Sequence, residues 1–125
     1  MQFLYVLAGG GIGALLRYAS SQYITSLLGT AFPFATLCVN AAGALAAGFL
    51  FSVFQMLLVP SALRLFLVSG FLGGFTTFSA YSLETANAFL EGNAQRALLN
   101  ILLNNALCII SVLLGIFAGR LIVKA

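Results

Sequence analysis

Apolar residues run through this chain in long stretches, and the few charged positions divide them. Residues 1–16 carry no charge, and Arg17 closes that run. Tyr18 to Leu63 is uncharged, as are Leu65 to Leu83 and Ala97 to Gly119. A bilayer core of ~30 Å takes about 20 apolar residues of helix. The pattern therefore predicts four helices over roughly 3–27, 34–58, 63–90 and 97–122. Pro33 and Pro60 bound the second. Ser20, Ser21, Gln22, Thr25 and Ser26 complete the first on its way out of the apolar layer.

Composition sharpens this picture. The 125 residues contain five Lys or Arg, two Asp or Glu and no His; 6% are charged, 62% hydrophobic, and the mean hydropathy is +1.15. A soluble domain carries about 25% charged residues, so an ordinary soluble globule and a disordered chain are both excluded. The basic pI comes without a Lys/Arg cluster, so no nucleic-acid partner is expected. Without His or Asp, most metal sites and the Ser-His-Asp triad are excluded, and no enzyme chemistry is expected. Cys38 and Cys108 fall in mid-span and read as small buried hydrophobes. No cleavable signal, linker or repeat is apparent, so a single all-α membrane domain over 1–125 is expected.

Charge placement bears on assembly. Four spans put both termini on one side, with Arg64, Arg120 and Lys124. Arg96 and Glu91 go to the other, with Arg17 if it lies near that end. This bias is weak by the positive-inside rule. Four short helices also enclose little interior for polar groups. The expectation is an antiparallel, dual-topology homodimer in the lipid bilayer. Gly9 and Gly13, Gly70 and Gly74, Gly115 and Gly119, and Ala44 and Gly48 have the small-xxx-small spacing that brings membrane helices close.

Polar groups inside hydrocarbon need a partner or a wet path. Thr36 and Asn40 lie four apart on the second helix. Asn100 and Asn104 do so on the fourth, with Asn105 beside them and Cys108 continuing the stripe. Such residues serve either as interhelical hydrogen bonds or as the lining of a path. The third helix holds Gly73-Gly74 and then Thr76-Thr77, a low-propensity run in mid-span. It reads either as packing glycine in an unbroken helix or as a break that frees backbone carbonyls. Phe78 and Tyr81 share a face beyond it, and ring edges are weakly positive. Ring edges with Asn N–H groups and Ser or Thr hydroxyls such as Ser79 can hold a small anion without a fixed charge. Arg17 is placed to snorkel or to draw anions into a vestibule. Glu84 is placed to pair with an Arg, bind a cation or mark an interface.

Three ordered runs resemble the Fluc-type fluoride channels of the CrcB family: GGGIGALLRY (Gly9–Tyr18), TLCVNAAGALAAG (Thr36–Gly48) and GFLGGFTTFSAYSLE (Gly70–Glu84). The resemblance spans the chain. It implies four helices with the third broken near Gly73–Thr77, a dual-topology homodimer with two fluoride pores, and residence in a bacterial plasma (inner) membrane. It also implies a structural sodium ion at the interface, held by backbone carbonyls of Gly73 and Thr76. By motif position, Asn40 is the pore asparagine with Thr36 one turn away, and Phe78 begins the aromatic fluoride-contacting set. Tyr81 stands where the family usually has a second Phe, and Ala80 where Thr is common. Arg17 matches the vestibule arginine, and Glu84 an acidic motif residue. Asn104 and Ser111 are further pore residues by polarity.

Two other readings fit the same plan. A small proton-coupled cation exporter needs an embedded carboxylate, and only Glu84 is available. A non-transporting accessory subunit would use its polar residues only at helix contacts.

Overall fold

A computed structural model describes residues 1–124. Four apolar rods are present: α1 (Gln2–Leu28), α2 (Phe34–Met56), α3 (Ser61–Leu90) and α4 (Ala94–Lys124). Each is long and apolar enough to cross a membrane, so the protein is a multi-pass membrane protein. The expected spans are met to within a few residues. The fourth starts earlier than 97, because Asn93 Oδ1 accepts the Arg96 N–H at 3.0 Å and caps the first turn. The turn before it is a Schellman closure. Gly92, at φ 78°, donates to the Phe89 carbonyl at 3.0 Å, and Asn93 to Ala88 at 2.8 Å.

Glycine sets the helix crossings. α1 packs on the first half of α3, and α2 packs along α4. A Cβ added at Gly9 would run into the Phe66 carbonyl, and one at Gly74 into that of Gly10. On the other crossing, a Cβ at Gly48 would meet Val112 backbone, and one at Gly115 the Leu45 carbonyl. Backbones touch at these points, which is how membrane helices gain packing without a hydrophobic drive.

The bundle has a thin interior. Its two largest fully buried side chains are Val39 and Asn100. Most of the long apolar side chains of α1 and α4 face outward, toward lipid or another chain.

α3 is the irregular element. It opens as a short α-helix, Ser61–Arg64, widens to π-winding over Leu65–Leu72, and regains α-geometry at Gly73–Phe75. The chain is then extended at Thr76 (φ −83°, ψ 154°) and Thr77 (φ −147°, ψ 115°), and a second helical half runs over Phe78–Leu90. The third helix is thus broken at the double threonine, one residue past the helical double glycine.

Candidate functional site

At the break, side chains replace lost ladder bonds. In an unbroken helix the Thr77 N–H would bond to the Gly73 carbonyl. Here it goes to Asn40 Oδ1 at 2.8 Å, and Asn40 Nδ2 returns a bond to the Thr77 carbonyl at 2.9 Å. One amide from α2 therefore meets both backbone groups of Thr77. Arg17 comes from α1 on the opposite side, and its Nε donates to the Gly74 carbonyl at 3.0 Å. Cationic donors suit the carbonyl end of a helix. The Thr76 hydroxyl donates to Leu72 at 2.8 Å, and the Thr77 hydroxyl accepts the Ala80 N–H at 3.1 Å and so caps the second half. Irregular backbone at membrane depth persists only when its polar groups are met in this way.

A ladder of amides continues from Asn40. Its Nδ2 also donates to Asn104 Oδ1 at 3.3 Å. Asn104 Nδ2 donates to Asn100 Oδ1 at 2.7 Å, and Asn100 Nδ2 to the Thr85 hydroxyl at 2.9 Å. The Thr85 hydroxyl ends the ladder on the Tyr81 carbonyl at 2.8 Å. One helical turn before Asn40, the Thr36 hydroxyl donates to Glu84 Oε1 at 2.5 Å. Glu84 Oε2 is buried with no hydrogen-bond partner among the described residues.

These elements surround a partly open cavity of about 380 Å³ between α2, the break and α4. Asn40, Thr76, Phe78, Tyr81 and Asn104 are on its wall, and every lining residue is uncharged. The second half of α3 begins at this wall, so the positive end of its dipole opens there. Phe78 and Tyr81 meet edge to face, with ring centres 5.1 Å apart at 67°.

The remaining expected residues fall elsewhere. Thr36 and Glu84 form their own pair beyond the wall. Glu84 takes a hydroxyl there, where an Arg was one expected partner. Ser79 and Ser111 are outside the lining. Ser79 shares a 3.2 Å hydrogen bond with the Thr77 hydroxyl. Arg17 is committed to the break, so it does not count among the charges at helix ends. Asn105 and Cys108 are on the wall. Cys108 continues the polar stripe of the fourth helix and Asn105 lies beside it, but polarity alone gave no reason to choose them over Ser111.

The fold and this site define a class: a small multi-pass membrane protein that lines a cavity at a broken helix with neutral hydrogen-bonding groups. Residues 4–116 match the family described as CrcB-like protein, Camphor Resistance (CrcB), and the chain belongs to that family. It is 47% identical over 123 residues to a fluoride-specific ion channel FluC of Magnetococcus marinus, covering 98% of this chain and 100% of that one. It is 42% identical to the proteins of that name from Shewanella amazonensis, over 90% of both chains, and Coxiella burnetii, over 96% of this chain and 98% of that one.

Proposed function

We propose that this protein is a passive, fluoride-selective channel of the bacterial plasma membrane, working as an antiparallel pair of identical chains. The relatives named fluoride-specific ion channels support the ion. The observation that carries the mechanism is the cavity wall, where amides, hydroxyls and aromatic edges meet with no charged side chain. Fluoride is small and strongly hydrated, so a path must offer donors in place of water. A fixed cation would hold the ion, whereas neutral donors let it move on. The gradient and membrane potential drive flow. In cells this exports fluoride that enters as HF and ionises inside.

Pairing is supported by the faces left open. Phe78 is 75% exposed on the protomer although it belongs to the cavity wall. Gly73 and Ser79 beside it are exposed as well. A second copy would close this edge and complete the path. With Arg17 committed to the break, the end charges are Arg64, Arg120 and Lys124 against Arg96. Labelling of single cysteines from both membrane faces therefore tests dual insertion, and one-sided labelling contradicts it.

A sodium ion at the pair's centre suits the backbone at the break. With the Thr77 N–H given to Asn40, the Gly73 carbonyl loses its helical donor. The Thr76 N–H still bonds to the Leu72 carbonyl, but the Ala80 N–H that would meet the Thr76 carbonyl goes to the Thr77 hydroxyl. Such freed carbonyls are hard oxygen ligands that fit an alkali cation. Gly73 and Thr76 would hold it, and its charge would offset converging carbonyl dipoles.

The test is ion efflux from liposomes that hold only this protein, followed with a fluoride electrode and a chloride control. Fluoride release without chloride release is expected. No fluoride release, or equal release of both, overturns the reading.

A further inference from the structure

The cavity wall holds many polar groups, yet most of their protons are already used. Asn40 Nδ2 has two hydrogens, spent on the Thr77 carbonyl and Asn104 Oδ1. Asn104 Nδ2 spends both on Asn100, at 2.7 Å to Oδ1 and 3.3 Å to the carbonyl. Asn105 Nδ2 gives one to the Ile101 carbonyl at 2.7 Å and one to the Tyr81 hydroxyl at 3.2 Å. The Thr76 hydroxyl is given to Leu72. The Thr77 and Ser79 hydroxyls make one mutual bond, which uses one of their two protons, and Thr77 also accepts the Ala80 N–H. Cys108 offers only a weak S–H donor.

Tyr81 differs from the amides and from Thr76. Its oxygen accepts from Asn105 and makes no other hydrogen bond among the described residues, so its own proton is unspent. A phenol O–H is a stronger donor than an aliphatic alcohol, because the ring draws electron density from the oxygen. The residue is buried, 8% exposed, and its ring meets Phe78 edge to face, so it has little freedom to turn. Asn105 on α4 fixes the oxygen from the side that accepts, which leaves the proton for the cavity.

We infer that the Tyr81 hydroxyl is a direct anion donor of this channel, and that Asn105 is the residue that positions it. This rests on the fluoride-channel reading. A hydroxyl bonded to an anion makes a charge-assisted bond, about twice as strong as a neutral one. The site would take a small, hard anion at one O–H, beside the ring edges that the wall already provides.

The experiment measures channel current against fluoride concentration in planar bilayers, for wild type, Tyr81→Phe, Asn105→Leu and the double variant. Tyr81→Phe keeps the ring and removes only the hydroxyl. It should raise the half-saturating fluoride concentration about ten- to a hundredfold, as the loss of one charge-assisted bond implies, and by a larger factor than it changes the limiting current. Asn105 is exposed on the protomer, so Asn105→Leu leaves the fold intact. It should shift half-saturation the same way, and the double variant should match Tyr81→Phe alone. An unchanged half-saturation in Tyr81→Phe overturns the donor role. A shift by Asn105→Leu that persists in full on the Phe background overturns the positioning role. Wild-type protein that passes no fluoride removes the channel reading itself, a failure distinct from both.

Discussion

The same two helices, α2 and α4, meet in two different ways along their length. At Gly48 and Gly115 backbone lies directly against backbone, with no room for a methyl group. Two to three turns away, at Asn40 and Asn104, they meet through amides, and a cavity of about 380 Å³ opens beside them. The glycine seam gains many small dispersion contacts and no directional bonds. The amide region gains directional bonds but leaves space. The rigid seam fixes the spacing of the helices, and the amides decide what can occupy the gap. α3 repeats the division. Its first half is packed on α1 through Gly70 and Gly74, and its break is stitched by Asn40 and Arg17.

Substitutions separate the two regions. Gly48→Leu should have the largest effect, because a side chain there has to displace Val112 backbone. Loss of folded, monodisperse protein in detergent is expected, and a normal elution profile breaks the seam's role. Asn40→Asp comes next. It puts a carboxylate at membrane depth, costing about 2.5–3.5 kcal/mol in insertion terms. A like charge then stands where an N–H donor was, so fluoride flux should be abolished with the assembly still formed. Wild-type flux in that variant contradicts Asn40's place on the path.

Phe78→Ile should slow fluoride by about tenfold, through loss of the ring edge. Thermal stability of the protomer should hardly move, since the ring is mostly exposed. Asn100→Leu removes the ladder's middle rung and should lower stability by about 1–2 kcal/mol, read from detergent unfolding. A larger loss would place the ladder among the main supports of the fold. Glu91→Gln should be the smallest perturbation. The Glu91–Arg96 pair is 3.9 Å apart on the surface, and a change beyond about 0.5 kcal/mol would be unexpected for such a pair.

Much of this division was legible along the chain. Long apolar runs marked the four helices, and small-xxx-small spacing marked the residues at both seams. The double glycine and double threonine marked the place where α3 is irregular, though spacing alone allowed an intact helix there as well. What the sequence left open is who meets the freed backbone. Asn40 reaches Thr77, and Arg17 reaches Gly74, across large separations and through side chain to backbone bonds. Such bonds leave no periodic mark. Arg17 accordingly read as a vestibule or interface charge. On α4 the stripe through Asn100, Asn104 and Cys108 was visible, but polarity favoured Ser111 where the wall takes Cys108 and Asn105. A cavity selects residues by facing, and a small thiol can line it as well as a hydroxyl.

The central claim is that a wall of neutral donors beside a stitched helix break passes fluoride and excludes larger anions. The most direct measurement is the reversal potential of purified protein in a planar bilayer, with a fluoride gradient and equal chloride on both sides. The account predicts a reversal at fluoride's equilibrium potential that stays fixed when chloride is then made unequal. A reversal near zero, or one that follows chloride, would contradict it.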